Sequence, residues 1–522
     1  MGGTSVCRTG RQGLDPDADL HPGRGAVAWA PVFLIFAQDW KRAMDVKPYL
    51  LSDSQMQQFI IDGYILVRAD FSEPVHQTIY DQLEQVFVED GNIGNNILPR
   101  VPLIRRVFDH PALVGALTSL LGPDYTMNPH RHCHLNPPGS PGQSWHKDCY
   151  VFDHNIRQPR FRWLLALYYP QDVSLDMGPT GLLPGRQYYD QISSPDSRHT
   201  TEAAEGLCGP AGTVALVNFD AWHRAMANTS QHKRYMLKFQ FARLAEPDRP
   251  RWNCTTPVWE PPPGPEHLVW RDVWQWLCGD SAQGEAAVDS ASEDWTHLHA
   301  PAEDQRLRAA FALGQLGQDA VPGLLQALQR QAREVADHLE DKTPANAHGT
   351  NPTACHAAQA LVALGPAGVP HLCDALADEH WWVRVSVADS LGQLGVQAAP
   401  AVANLSQALE DEHWWVRRGA AEALGRIGEA AGPATSRLAE RLGDSDRRVR
   451  RMAALALGQI GASADGHVVS GLQGLMDDED RYNRFYGTLA LRRLPNRSSR
   501  ALLLETLSAA RWCPVTAAGS PF

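Results

Sequence analysis

The chain has 522 residues, 43% apolar and 20% charged, with a formal net charge of −12. These are values of a globular protein long enough for two or more domains, and the negative balance leaves no basic footprint for nucleic acid or anionic lipid. Nine scattered cysteines (Cys7, Cys133, Cys149, Cys208, Cys254, Cys278, Cys355, Cys373 and Cys513) form no C-x-x-C pair, which argues against a disulfide framework and for a reducing, cytoplasmic setting.

Residues 1–45 read as a disordered leader. Their apolar run from Ala26 to Ala37 is interrupted by Pro31 and is too short to span a bilayer. Asp15, Asp17 and Asp19 ahead of it are unlike the short basic start of a signal peptide. Further on, His130, His132 and His134 alternate as on one face of a strand. No further ligand completes a second metal site with them, so pocket-lining or surface roles are expected.

Trp145-His146-Lys147-Asp148 carries the first chemistry. An i, i+2 pair on a strand points the same way, so His146 and Asp148 can grip one ion while Lys147 and Cys149 point away. A second histidine, His223, lies 75 residues beyond Asp148, after the apolar β-rich run Gly212 to Phe219. Two imidazoles and one carboxylate are the facial triad that holds non-haem Fe(II) with positions left open. A turn with Asn228, Thr229 and Ser230 follows, then Arg234 to Phe241 alternates strictly, with Tyr235, Leu237, Phe239 and Phe241 on one face. Arg234 therefore opens a strand on the opposite face, 11 residues after His223. Its planar fork suits a carboxylate of a dicarboxylate co-substrate.

Taken together, these motifs resemble the phytanoyl-CoA dioxygenase family of Fe(II)/2-oxoglutarate oxygenases from roughly Leu51 to Leu277. Leu51 to Val67 looks like the family's first helix and strand. Trp145 to Asp148, Trp163 to Tyr169, Met177 to Thr180, Leu183-Pro184-Gly185, Trp222-His223 and Arg234 follow in the family's order. One departure is visible: Arg186-Gln187 stands where the family usually has a small hydroxyl residue. The resemblance implies a double-stranded β-helix (jelly roll) in which His146, Asp148 and His223 hold Fe(II). It also implies that 2-oxoglutarate chelates the iron, that Arg234 anchors its distal carboxylate, and that Trp163 is either an aromatic wall beside it or a core residue. With O2, 2-oxoglutarate would be decarboxylated to succinate and CO2 as the substrate is oxidised. Related halogenases lack the carboxylate ligand, so a retained Asp148 implies hydroxylation. No catalytic residue is expected beyond the metal site.

The coda from Trp252 to Leu277 includes Val269, Val273 and Trp276 at helical spacing, as expected of a helix docked on the barrel. Residues 279–304 read as a linker. Beyond it, Asp378-Glu379-His380-Trp381-Trp382-Val383-Arg384 recurs 33 residues later as Asp411 to Arg417, and again in weaker form as Asp444 to Arg450. Each copy leads into a helix ending Leu-Gly-x-Leu/Ile-Gly, and Pro322, Pro370, Pro400 and Pro433 open the second helices. This periodicity means an α-solenoid; it resembles HEAT repeats of the phycobilisome-lyase type, about six of them, with an insertion at 341–351. Arg384, Arg417, Arg450 and Arg484 are expected to pair with the aspartates about six residues before them.

The expected architecture is a two-domain α+β/all-α chain. A jelly-roll oxygenase domain at 46–278 precedes an α-solenoid of HEAT-like repeats at 305–510 and a tail at 511–522. The leading reading is an Fe(II)/2-oxoglutarate hydroxylase acting on an unknown small molecule or protein, its repeats binding a protein partner. The alternative is an interaction scaffold with a vestigial oxygenase domain. Every site residue precedes Asp280, so the oxygenase part is expected to fold without the repeats. Trp381-Trp382 and Trp414-Trp415 are read as either partner contacts or inter-repeat packing.

Overall fold

Ser52 accepts a hydrogen bond from the Gln55 amide while the Gln55 side chain accepts from the Ser52 amide, a reciprocal cap that opens helix α1 (Asp53–Asp62). Gly63 ends it at φ 80°, a conformation that costs glycine nothing, and β1 (Tyr64–Arg68) follows at once. The computed structural model describes residues 45–148, 158–190, 192, 203–279, 295–339, 356–461, 466–494 and 496–509. The expected leader, the tail, the insertion and most of the linker lie outside them.

Helices α2 (Val75–Glu89), α3 (Ile97–Arg100), α4 (Ile104–Phe108) and α5 (Pro111–Leu121) precede β2 (Tyr125–Asn136) and β3 (Trp163–Tyr168). Strands β4 (Thr180–Leu182), β5 (Glu205–Gly206), β6 (Thr213–Asn218), β7 (His223–Ala225) and β8 (Arg234–Arg243) complete two antiparallel sheets, ordered β1-β6-β3-β8-β2 and β5-β4-β7. Strict alternation sorts the large sheet's faces. Tyr235, Leu237, Phe239 and Phe241, with Leu164, Ala166 and Tyr168, pack under the helices, the Phe108 ring 4.4 Å from that of Phe239. Truncating a buried phenylalanine such as Phe239 to alanine costs about 3–5 kcal/mol. The opposite face (Trp163, Leu165, Leu167, Ala215, Val217 and Met236) joins Leu182 and Leu207 to fill the space between the sheets. This is the expected jelly roll, and the functional face of β8 lies inside it.

Edge strand β2 departs from regularity once. Its pairing with β8 jumps from Met127↔Phe241 to Arg131↔Phe239, so Asn128, Pro129 and His130 bulge out of the ladder. Pro129 has no N–H to lose there, and a bulge re-aims the side chains around it.

Helix α6 (His267–Leu277) docks as its spacing predicts, with Val269, Val273 and Trp274 fully buried and the rings of Trp252 and Trp259 packed on Trp274. Six helix pairs follow among the described residues: α7 (Glu303–Leu313) with α8 (Val321–Leu339), α9 (His356–Ala363) with α10 (Val369–Ala375), α11 (Trp381–Gln393) with α12 (Val402–Ala408), α13 (Trp414–Ile427) with α14 (Thr435–Glu440), α15 (Arg447–Ile460) with α16 (Gly466–Met476), and α17 (Arg481–Arg493) with α18 (Arg497–Ala509). Pro400 and Pro433 lie in the 3-10 turns before α12 and α14 rather than inside those helices.

The arginine ladder is real but connects differently. Arg384 forks onto Asp411 of the next repeat at 2.7 and 3.0 Å, Arg417 onto Asp444 at 2.9 and 3.0 Å, and Arg450 onto Asp478. Each takes only backbone carbonyls from the aspartate six residues before it. The reason is that the first aspartate's carboxylate is already turned to cap its own helix start, as Asp411 does for the His413 amide. The tryptophans pack between repeats: Trp382 and Trp415 are buried, and His413 stacks 3.9 Å from the Trp381 ring.

The solenoid is not strung out beyond the jelly roll. Residues Val46–Phe522 form one unit, with the first helices of four successive repeats turned onto the jelly roll. Gln158 Nε2 donates to Asp389 of α11 at 2.6 Å, Gln459 of α15 to the Leu244 carbonyl at 3.1 Å, and Arg493 of α17 to Asp124 at 2.6 Å. Between them, Arg162 grips Glu246 through two 2.7 Å bonds while Arg426 of α13 reaches Asp389 and Glu422. Burial pushes Glu246 up, and Arg162, Arg426 and Arg243 together more than offset it, so its carboxyl titrates below the ordinary range. Buried charges like these need every partner. The physical reason for expecting a separable oxygenase, that its site lies before Asp280, therefore does not describe how its surface is satisfied.

Candidate metal centre

His146 and His223 face each other as an antiparallel bridge, each amide donating to the other's carbonyl at 3.0 and 2.9 Å. Their rings lie 4.6 Å apart. His146 is thus not inside a long strand, as the i, i+2 argument assumed; the bridge to β7 sets its direction instead. The Nδ1 of His146 lies 2.9 Å from the Ser144 carbonyl and that of His223 lies 3.0 Å from the Ala221 carbonyl. A carbonyl only accepts, so both Nδ1 atoms carry the proton and both Nε2 atoms keep a free lone pair. Asp148 completes the group: one ligand atom from each of the three residues lies within 4.8 Å of the others, and His223 Nε2 is 3.8 Å from Asp148 Oδ1.

A fourth side chain enters that sequence reasoning missed. Lys238 Nζ donates to both Asp148 oxygens at 3.1 and 2.9 Å. The signal was available, since Lys238 lies four residues beyond Arg234 and so shares its face of β8. Burial raises the Asp148 carboxyl, but Lys238, His223 and His146 together hold it far below the ordinary range. Burial pushes His223 down to about 4, partly countered by Asp148.

His132 lies directly opposite Lys238 across the strand pair and His134 opposite Met236, their rings stacked 4.9 Å apart. His132 Nδ1 and His134 Nε2 are buried without a partner among the described residues, as is Thr180 Oγ1 on β4. Lys147 points away from the triad, as expected, into a buried pair with Asp220 at 2.8 Å. The unusual Gln187 holds the Ile60 and Ile61 carbonyls at 3.0 and 3.1 Å and takes Lys147 on its own carbonyl, so it ties the loop to α1.

Arg234 is 1% exposed, and its Nε and Nη2 both donate to the Gly178 carbonyl at 3.0 and 2.7 Å. Trp163 faces the same interior but pairs with Ala242, at the far end of β8, edge-on to Phe219 at 6.0 Å. Eight residues of strand separate it from Arg234, roughly 25 Å along β8. Trp163 packs there with Leu165, Leu167 and Phe219 in the interior between the sheets.

Family matches fall on both parts of the chain. Residues 62–236 match the phytanoyl-CoA dioxygenase (PhyH) family, residues 369–440 and 402–492 match HEAT repeats, and residues 305–330 match the PBS lyase HEAT-like repeat. The chain therefore carries an Fe/2-oxoglutarate dioxygenase (PhyH) domain followed by HEAT and PBS-lyase HEAT-like repeats. Among solved structures, the non-heme alpha ketoglutarate dependent carbocyclase SnoK from nogalamycin biosynthesis is 18% identical, with 37% of this chain and 85% of that chain covered and a TM-score of 0.32. HygX from Streptomyces hygroscopicus, with nickel and 2-oxoglutarate bound, is 14% identical, with 37% and 88% covered and a TM-score of 0.30. The non-heme monooxygenase ThoJ in its nickel complex is 17% identical, with 38% and 83% covered and a TM-score of 0.30. No curated protein matches the chain. Among the described residues no helix is long and apolar enough to cross a membrane.

Proposed function

We propose that this protein is an Fe(II)/2-oxoglutarate-dependent hydroxylase. The observation that carries the reading is the pre-aimed triad: two histidines with Nδ1 fixed on carbonyls and one buried carboxylate, all within 4.8 Å. Donors bound about 2.0–2.2 Å from one ion lie about 3–4 Å from each other, so the group fits a divalent cation with small adjustments. The donor set, N2O with a hard carboxylate, suits non-haem iron.

His146 and His223 would hold the ion through Nε2 and Asp148 through its carboxylate. Iron bound there with 2-oxoglutarate and O2 supplies the oxidative decarboxylation to succinate and CO2 that drives hydroxylation. Arg234 spends two fork nitrogens on Gly178, which locks the guanidinium in place, and its remaining donors would take the distal carboxylate of 2-oxoglutarate. Thr180 Oγ1 and His134 Nε2, buried without partners in the described residues, are further donors or acceptors for the co-substrate. The retained Asp148 fills the coordination position a halide would need, which supports hydroxylation.

The test is succinate formation from 2-oxoglutarate by full-length protein with Fe(II), alongside a metal titration of the wild type and His146→Ala. One divalent ion per chain, lost in the variant, supports the reading. Succinate formation that survives His146→Ala overturns it.

A further inference from the structure

The solenoid touches the jelly roll beside the site and not only along its flank. At the β2 bulge, Asn128 Nδ2 donates to the Tyr486 hydroxyl at 3.0 Å and His130 Nδ1 lies 2.8 Å from the Tyr482 hydroxyl, both tyrosines belonging to α17 of the last repeat. From there, His130, His132 and His134 run back along β2 toward the triad, all three half-buried. His132 in the middle of this row lies opposite Lys238, which holds Asp148, so the row runs from Tyr482 to the candidate metal ligands. The strip is made of flat rings: His132 stacks on His134, and His130 lies near-parallel to Tyr482 with centroids 6.4 Å apart. Cations border it. Lys238 stands at the metal end, and Arg451 and Arg481 lie over the Tyr482 ring at 4.9 and 5.0 Å. Arg451 is balanced by Asp480 at 3.1 Å, and Lys238 by Asp148 until a divalent ion takes that carboxylate.

We propose that the last HEAT repeat is a wall of the substrate chamber, and that the substrate is a small, planar, anion-bearing molecule held between Lys238, the β2 histidines and Tyr482. This rests on the hydroxylase reading above and gives it a substrate class. A bulge that breaks the edge strand costs ladder hydrogen bonds, and here it aims two side chains at the solenoid. Stacked imidazoles accept a flat ring, and a border of ammonium and guanidinium groups favours a negative one. An acyl chain would instead need an apolar lining, which this strip does not offer. On this geometry the repeats act on the enzyme's own pocket.

The experiment titrates 4-nitrophenyl phosphate, and separately the neutral 4-nitrobenzyl alcohol, into full-length protein loaded with Ni(II) and 2-oxoglutarate, which does not turn over. The phosphate is expected to bind one-to-one, at least tenfold tighter than the alcohol. Tyr482→Ala and His130→Ala weaken it tenfold or more. Tyr482→Phe, which keeps the ring on Arg451 and loses only the hydroxyl facing His130, weakens it about threefold and decides the matter if the alanine variant does not fold. Absence of saturable phosphate binding, equal binding of the alcohol, or wild-type affinity in the Tyr482 variants overturns the proposal. Should Ni(II) itself fail to bind through His146, the hydroxylase reading falls and takes the wall with it. Should Ni(II) bind through the triad while the phosphate ignores Tyr482, the wall alone falls.

Discussion

Lys238 Nζ lies 3.1 and 2.9 Å from the two carboxylate oxygens of Asp148, a buried ion pair inside the candidate metal-ligand group. The ammonium competes for the carboxylate that a metal needs and repels any divalent ion placed beside it. Lys238→Met should therefore tighten Ni(II) binding, by about tenfold if the net penalty is about 1.4 kcal/mol. Calorimetric titration of metal into the variant checks this, and unchanged or weaker binding would show that the lysine props Asp148 in place instead.

Loss of Arg234 should separate co-substrate from metal. Arg234→Ala removes a buried, charge-assisted contact of about 1.5–3 kcal/mol, so the KM for 2-oxoglutarate should rise roughly ten- to hundredfold while Ni(II) affinity changes little. His223→Ala should do the reverse and abolish tight Ni(II) binding. Steady-state succinate assays and metal titrations on both variants distinguish the two roles.

The ladder joining Arg417 to Asp444 should show measurable coupling, because the Asp444 side chain is only 4% exposed and the fork is bidentate. Asp444→Ala is expected to cost more than Arg417→Ala, about 2–3 against 1–2 kcal/mol, since it also strips the cap from the Asp446 amide. A double-mutant cycle in urea reads the pairwise term, expected at about 1 kcal/mol or more.

Truncation after Gly279 should not release a healthy oxygenase. It would uncover Arg162, Glu246, Gln158 and Asp124 together with the surface now covered by α11, α13, α15 and α17. The fragment is expected to aggregate or to unfold at clearly lower urea than the full chain, as seen by circular dichroism and gel filtration. A monomeric fragment with an unchanged midpoint would make the interface incidental.

Acid should weaken the first repeats through His356. Burial pushes this imidazole from 6.5 down to about 4, with Arg306 adding to the effect and Asp190 opposing it. The folded chain resists the proton that the unfolded chain takes up, so stability is full above pH 6.5 and is lost as pH falls toward 4. The loss approaches about 3 kcal/mol. His356→Leu should flatten the fall in Tm between pH 7 and 4.5, and an equally steep fall would assign the acid sensitivity elsewhere.

What the sequence determined by itself was local and periodic. Alternation along Arg234 to Phe241 fixed which face of β8 meets the helices and which meets the site, and the 33-residue period fixed the solenoid, because both patterns follow from backbone geometry that every residue shares. The triad residues were legible as types at family spacing, although the His146–His223 bridge that aims them was not. Tertiary structure decided the rest. The polar residue inside each Leu-Gly-x-Leu/Ile-Gly repeat end (Gln393, Arg426, Gln459) looks like a solvated position in the sequence, yet the Gln393 carbonyl accepts from Arg160, Arg426 lines one cavity with Arg162 and Glu246, and Gln459 donates to the Leu244 carbonyl. Trp163 and Arg234 share one sheet face and are separated only by register. The meeting of His130 with Tyr482 spans 352 residues, and such a contact depends on how whole elements dock, which no local preference of either segment encodes.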